Sequence, residues 1–415
     1  MTSFSIQNFG CRVNQAEAFE WAGEFQKHGL KLEKDFRRSQ IVLVNTCTLT
    51  SRADRDARRF IRKMARLNPQ AKVVVTGCLV ERDISEFRKM PVIWKIVPNR
   101  EKNFLVDKVL AEIAHGGSTE VRPFRSRALL KIQDGCNLRC RFCIIPQVRG
   151  ISQSLPREEV LSRVKRLAEE GFNEIVLTGI HLCSYGRDLK PRRSFLDLLV
   201  ELEKIDFLKK IRLSSLDPRW LSSPLIAHIT TSRKVCPHFH ISLQSGSDRI
   251  LALMGRMSRV SVYAKLLDRL RSGSPRASLG ADIIVGFPGE TEDDFEQTFR
   301  FLEESPLTYM HVFSYSPRPH TPASSWPQVE EKRKRERAVL LRELSKKKNR
   351  NFRRQFLGEE LEALVVKRKN GSAEVVTPNY LKILLSFCPT EEGEEVRVRV
   401  TRINDQNMEG EIISL

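Results

Sequence analysis

Residues 134–150 read DGCNLRCRFCIIPQVRG, and Cys136, Cys140 and Cys143 in this stretch form a C-x3-C-x2-C array directly after the apolar run Ala128–Gln133. Tetrahedral zinc and four-cysteine electron-transfer clusters want a fourth Cys or His at comparable spacing, and none lies close by in sequence. Three thiolates can instead hold three irons of a 4Fe-4S cube. The fourth iron is then open to a small bidentate ligand, to which it can pass an electron.

Outward on the C-terminal side, strand-like runs at Glu174–Leu177, Lys210–Leu213, Phe239–Leu243, Leu279–Val285 and Met310–Tyr315 follow the first at Ala128–Gln133, with helical patterns between them. Six such units predict a partial (β/α)6 barrel, whose chemistry collects at the carboxyl ends of the strands. On the N-terminal side, Ser3–Phe9, Ile41–Val44 and Val73–Val75 each run into a turn and a cysteine, Cys11, Cys47 and Cys78. Strand–helix alternation implies right-handed crossovers and a parallel sheet, which puts these strand ends on one edge. Three cysteines spaced 36 and 31 residues apart can thus meet at one rim and hold an iron–sulfur cluster. Taken singly, each also fits a buried small hydrophobe.

Residues 332–354 carry twelve Lys/Arg against two Glu and predict a long basic helix bridging domains. Beyond Gly358, five short alternating runs (Leu361–Val366, Ala373–Val376, Leu381–Leu385, Val396–Ile403 and Glu409–Ile413) predict a small all-β barrel of a kind that often binds RNA. The fold class is therefore α/β with an all-β appendix. A parallel-sheet α/β domain spans residues 1–118, the partial (β/α)6 barrel with its basic helix 122–354, and the small barrel 355–415.

The chain has 415 residues, and its 71 Lys+Arg against 51 Asp+Glu leave a net charge of +20, which favours a polyanionic partner. Nine cysteines are too few for a disulfide scaffold, so free or metal-bound thiols in a reducing cytoplasm are expected. The N-terminus has no signal-peptide pattern and no apolar run approaches a membrane span, so no membrane partner is expected.

The C-x3-C-x-Φ-C form, with Phe142 before the last cysteine, resembles the radical S-adenosylmethionine family. GCRVNQ, NTCT and TGC around the upstream cysteines, with the order of the three regions, resemble the methylthiotransferases of that family along essentially the whole chain. GCRVNQAEA, NTCTLTSRADRDAR, LTGIHLCSYG and ISLQSGSDRIL resemble the branch acting on N6-threonylcarbamoyladenosine at tRNA position 37. The isopentenyladenosine branch would typically show Gln-Asn where Ile180-His181 stand here.

The resemblance implies two 4Fe-4S clusters, one on Cys136, Cys140 and Cys143 and one on Cys11, Cys47 and Cys78. It also implies two uses of S-adenosylmethionine, as methyl donor and as radical source, and a terminal TRAM domain. The product would be 2-methylthio-N6-threonylcarbamoyladenosine. The partners implied are the tRNA anticodon stem-loop and an electron donor such as flavodoxin or ferredoxin; a monomer is expected. The same chemistry on isopentenyladenosine or a ribosomal protein, and a non-catalytic iron–sulfur RNA-binding module, stay open as alternatives.

Phe142, Thr178, Gly179, Ser214, Gln244 and Asp282 are candidates for contacts to S-adenosylmethionine, because they lie in the motif or end barrel strands; strand capping is the alternative. Arg52, Arg55, Arg59, Arg62 and Arg66 recur at helical spacing and predict a stripe for RNA phosphates, diluted by Asp54 and Asp56. Tyr380, beside Lys382, fits base stacking or strand packing. Cys183 and His320 stand where the family has glycine, and Ser258 where it often has an aromatic residue; side chains at Cys183 or His320 are expected to narrow the substrate cavity. Cys183, Cys236 and Cys388 are expected not to ligate.

Overall fold

The computed structural model describes residues 2–113 and 126–414, so the expected boundary at residues 118–122 lies outside the described residues. Five parallel strands form the first sheet: β1 (Ser3–Asn8), β2 (Lys31–Leu32), β3 (Ile41–Thr46), β4 (Lys72–Gly77) and β5 (Ile93–Val97), in the order β2-β1-β3-β4-β5. β3 and β4 are central and covered on both faces, which is why IVLVNT and KVVVTG read as near-continuous apolar runs. β2 and β5, at the edges, escape the sequence pattern because one is two residues long and the other only partly buried.

The middle of the chain contributes β6 (Ala128–Asp134), a short antiparallel β7 (Gln153–Ser154), β8 (Glu174–Gly179), β9 (Lys210–Leu213), β10 (His238–Gln244), β11 (Ser278–Val285) and β12 (Tyr309–Ser314). They pair as β7-β6-β8-β9 and β10-β11-β12, and isolated parallel bridges Ile211–Val235 and Leu216–Ile241 join the two groups. The six parallel strands make an open barrel, as the alternation of runs predicts. The helix Arg12–Lys27 joins the N-terminal sheet to this barrel, with Ala16 packed against Leu129 and Val176.

The basic helix Glu331–Arg354 is more than a solvated bridge. Ala338, Leu341 and Leu344 enter the core of the open barrel, while Phe352 enters the core of the terminal one. Its Arg337 is buried against Glu290. The terminal barrel closes in the order β13 (Glu360–Lys369), β14 (Ser372–Val376), β15 (Lys382–Leu385), β17 (Met408–Ser414) and β16 (Glu395–Ile403), a TRAM-like arrangement. Strict alternation along β16 sends Val396, Val398 and Val400 inward and Arg397 and Arg399 outward. No helix among the described residues is long and apolar enough to cross a membrane.

Neither Cys183 nor His320 narrows the large cavity described below. Cys183 is buried in the barrel core, and His320 is exposed with φ +63°. That left-handed backbone explains why a glycine suits the position. His320→Gly is expected to raise stability by about 0.5–1 kcal/mol, a Tm gain of roughly 2 °C by calorimetry, since the Gln147 bond there goes to the backbone carbonyl.

Candidate functional site: two cysteine triplets beside a cavity

Each upstream cysteine sits at the carboxyl end of a strand. Cys11 precedes the helix Arg12–Lys27, Cys47 directly follows β3, and Cys78 directly follows β4 as the first residue of the helix Cys78–Phe87. Two glycines make the convergence possible. Gly10 has φ +98°, and a Cβ there would stand 2.5 Å from the Cys47 sulfur; Gly77 has φ +110°, and a Cβ would stand 2.2 Å from the Thr46 carbonyl oxygen. Only glycine lets the three turns approach this closely. Burial pushes the Cys47 thiol up to about 12, with neighbouring Cys11 and Cys78 adding to the shift.

The second triplet occupies the loop between β6 and the short helix Ile145–Arg149. The loop is pinned by Cys136 N–H donating to the Gly150 carbonyl at 3.1 Å and Cys143 N–H to the Cys140 carbonyl at 3.0 Å. Burial pushes Cys143 up to about 12, helped by Cys140 and Cys136. Beside this loop, Asp217 receives Arg219 at 2.7 Å, Arg256 at 3.3 Å and His181 at 3.5 Å. Burial would raise the Asp217 carboxyl, but these partners overcome it and hold it well below the carboxylate range.

The donor set tests which metal the triplets suit. Each triplet offers three cysteine sulfurs, one short of the four ligands of a structural zinc site, whereas three thiolates can hold three irons of a 4Fe-4S cube. Among the described residues, His240, Asp282 and His311 form a separate trio whose ligating atoms lie within 4.8 Å of one another.

Arg149, the last residue of the short helix that follows Cys143, reaches back to the upstream triplet. Its Nε donates to the Cys78 sulfur at 3.2 Å, and its other nitrogens donate to Asn14 at 2.6 Å, Asp134 at 2.8 Å and Glu17 at 3.1 Å. Lys102 and Lys131 complete the group at 2.7 and 3.1 Å from Glu17. No local signal could have found this: Asp134 is 15 residues away on β6, but Asn14, Glu17 and Cys78 come from the N-terminal region, up to 135 residues away.

Between the sheets lies a cavity of about 1790 Å³, whose wall includes Cys11, Cys47, Ile145, Gly179, Ser214 and Asp282. Of the residues expected to contact S-adenosylmethionine, Gly179, Ser214 and Asp282 thus face it, whereas Phe142, Thr178 and Gln244 do not line it. Phe142 packs edge-on against Phe287, and Gln244 ends β10 at φ +83°. The hydroxyl of Ser214, in the wall, is buried without a hydrogen-bond partner among the described residues, as befits a place where a polar ligand supplies one; the Thr178 hydroxyl is likewise unpartnered but lies off the cavity. Asp282 is already engaged by His240 at 3.0 Å and His311 at 3.5 Å.

The arginine stripe lies on the helix Ser51–Leu67, which Thr50 caps by accepting from Ala53 N–H at 3.2 Å. Arg52, Arg55, Arg59, Arg62 and Arg66 are all exposed, while Ala57, Ile61 and Met64 pack inward. Asp54 does not dilute the stripe: it is buried and held by Arg318 at 2.8 Å and Arg82 at 2.9 Å. Replacing Arg55 and Arg59 with Gln is expected to reduce the salt slope of RNA binding by roughly 1.5, at 0.7–0.9 per phosphate contact. Filter binding across a salt series checks this, and an unchanged slope removes the stripe from the RNA interface.

Residues 130–302 match the Radical SAM superfamily, and residues 3–97 match uncharacterized protein family UPF0004. The chain is 37% identical to the threonylcarbamoyladenosine tRNA methylthiotransferase MtaB of Aquifex aeolicus, over 95% of this chain and 99% of that protein. It is 33% identical to the MtaB of Bacillus subtilis, over 100% of this chain and 97% of the relative. In fold it is similar to the radical S-adenosylmethionine methyltransferase TsrM of Kitasatospora setae, with TM-score 0.56, 14% identity and coverage of 78% of this chain and 77% of that one. Two cysteine triplets that meet through Cys78, Cys136 and Cys143, on a chain this similar to the MtaB proteins over nearly its full length, make it a member of the family of radical S-adenosylmethionine tRNA methylthiotransferases, which use S-adenosylmethionine and 4Fe-4S clusters.

Proposed function

We propose that the chain transfers a methylthio group to carbon 2 of N6-threonylcarbamoyladenosine at position 37 of tRNA, giving 2-methylthio-N6-threonylcarbamoyladenosine. Two clusters and S-adenosylmethionine supply the radical that activates the inert C–H bond and the sulfur and methyl group that replace the hydrogen. The single observation that carries the reading is that the two triplets meet beside one cavity: Cys78 of one packs in a cluster with Ile145 and with Cys136 and Cys143 of the other, and Ile145, Cys11 and Cys47 line the cavity.

In this reading, Cys136, Cys140 and Cys143 hold one cluster and Cys11, Cys47 and Cys78 the other. Gly179 gives backbone access to S-adenosylmethionine, and the free Ser214 hydroxyl bonds it. Arg149 holds the Cys78 sulfur in place with a hydrogen bond from its Nε. Apolar wall residues such as Ile145 and Val176 exclude water from the part of the cavity they line. The arginine stripe receives phosphates of the anticodon stem-loop. A flavodoxin or ferredoxin delivers the electron, and the protein works as a monomer in the cytoplasm.

The test is mass spectrometry of nucleosides from tRNA carrying N6-threonylcarbamoyladenosine, after incubation with the anaerobically reconstituted, reduced protein and S-adenosylmethionine. A methylthio gain on that nucleoside is expected. Formation of 5′-deoxyadenosine without it would move the substrate to isopentenyladenosine or a ribosomal protein, and no cleavage of S-adenosylmethionine would leave an RNA-binding module.

A further inference from the structure

One corner of the cavity carries more positive charge than its own residues neutralise, and all three regions of the chain build it. Arg12, at the start of the helix that follows Cys11, donates from Nη2 to the Tyr380 hydroxyl at 2.6 Å, across 368 residues. Tyr380 belongs to the turn between β14 and β15, with φ +67°, and so is not the strand residue that the sequence suggests. Its ring stacks on His238, with centroids 4.4 Å apart and planes 15° from parallel. The guanidiniums of Arg212 and Arg127 stand 5.0 and 5.8 Å from the ring centre. Tyr380 is therefore held inside the protein rather than presented to an exposed base.

The charges do not balance. Glu174 serves Arg212 at 2.7 Å and Arg127 at 3.3 Å, so one carboxylate answers two guanidiniums. Arg12 is the third, and its side-chain partners are neutral: the Tyr380 hydroxyl and Gln15 at 3.3 Å. No carboxylate among the described residues pairs with it. The acids in the cavity wall are occupied: Glu374 by Lys382 at 3.3 Å, Asp282 by His240 at 3.0 Å, Glu343 by Lys346 at 2.7 Å and Asp405 by Arg350 at 2.6 Å.

Two neighbouring groups register the excess. Burial would raise the Tyr380 phenol, yet Arg12, Arg127 and Arg212 bring it below its ordinary value. Burial pushes the His238 imidazole well down, and Arg212, His240, Arg12 and Arg127 push it further. A low-dielectric corner with three guanidiniums and one carboxylate is a place for an anion. Arg12, Tyr380 and His238 all face the same cavity as Cys11, Cys47 and Ser214.

We propose that this corner binds the carboxylate of the threonylcarbamoyl group, with Arg12 as the specificity-determining residue. The inference rests on the proposed function and deepens it. A threonine joined through a carbamoyl to N6 of adenine carries one free carboxylate, which completes the charge balance here. An isopentenyl group is uncharged and would leave Arg12 desolvated with no anion, so the same contact selects against the apolar substrate. Tyr380 then holds the guanidinium in place and does not itself read the base.

The test crosses residue charge with ligand charge, using the full-length, reconstituted, reduced protein. Anticodon stem-loop RNA is supplied with the threonylcarbamoyl carboxylate either free or masked as its methyl ester. Wild-type protein is expected to lose roughly 10- to 100-fold in kcat/KM on the ester. Arg12→Gln is expected to lose as much on the free carboxylate and to treat the two RNAs alike, and Arg12→Lys to recover part of the difference. Iron content and circular dichroism of each variant report on loading and folding, and the wild-type comparison of the two RNAs needs no variant.

Equal turnover of both RNAs by the wild type overturns the proposal. So does an Arg12→Gln loss equal on both RNAs, which would assign the corner to an RNA phosphate. A raised KM for S-adenosylmethionine in Arg12→Gln would assign it to the methionine carboxylate and also overturn it. Failure of the wild type to modify the free-carboxylate RNA at all would instead sink the proposed function, and the proposal with it.

Discussion

Cys140→Ala protein is expected to lose both reductive cleavage of S-adenosylmethionine and methylthio transfer, whereas Cys47→Ala protein is expected to keep the cleavage and lose the transfer. The two positions differ in what they border. Cys140 is buried in a loop held by its own turn and by Arg141 N–H donating to the Met254 carbonyl at 3.0 Å, apart from the N-terminal sheet. Cys47 stands in the cavity wall on that sheet, beside Gly10. Alanine at either removes one of three ligands, and each reconstituted variant should bind less iron by roughly one cluster's worth. Quantifying 5′-deoxyadenosine and modified nucleoside in the same reactions separates the two roles. Parallel loss of both products in Cys47→Ala would refute the division of labour, and retained transfer would remove Cys47 from the chemistry.

Arg149→Met should cost about 3 kcal/mol of stability and most of the iron bound by Cys11, Cys47 and Cys78. The guanidinium is nearly sealed, and breaking a buried charge cluster by deleting one partner costs about 3–5 kcal/mol. Lys102 and Lys131 remain beside Glu17, and Lys131 also reaches Asp134 at 3.0 Å, which places the loss at the low end. The bond to the Cys78 sulfur has no substitute. Burial raises the Cys11 thiol and Arg149 opposes that rise, so the variant's thiols should also ionise and ligate less readily. Arg149→Lys keeps the charge without the fork and should fall between the two.

The same cluster sets an acid dependence. Glu17 sits well below its ordinary value: burial raises it, and Arg149, Lys102 and Lys131 more than reverse that; Asp134 is lowered by the same balance, with Arg149 and Lys131. A carboxyl whose folded value is depressed contributes stability that is fully present above its unfolded value, about 4. That contribution is lost as pH falls through the lower folded value. Denaturant unfolding of the wild-type protein should therefore weaken steeply below about pH 4, and the Arg149→Met curve should be flatter there. Parallel curves would show that Arg149 does not hold these carboxyls down.

The sequence by itself determined the order of the elements and both cysteine triplets as candidates. Strand periodicity, the β/α alternation and a C-x3-C-x2-C turn are all written within windows of a few residues. The parallel alternation even carries one long-range consequence, because right-handed crossovers put the ends of β1, β3 and β4 on one edge whatever the loops do. It did not reveal the edge strands β2 and β5, whose burial is too short or too partial to leave a pattern.

Only the tertiary structure decided which charges are free and which are spent. Asp54 reads as part of a surface helix face, yet it turns inward to Arg82 and Arg318 and leaves Asp56, 3.7 Å from Arg52, as the acid beside the arginine stripe. Tyr380 reads as a strand residue, yet a left-handed turn aims it at Arg12 and His238. Arg149 carries no signal in the sequence, yet it binds the sulfur of a cysteine 71 residues away. Spacing along a chain records local geometry, whereas the pairing of buried charges depends on which distant elements dock, and desolvation makes that pairing decisive.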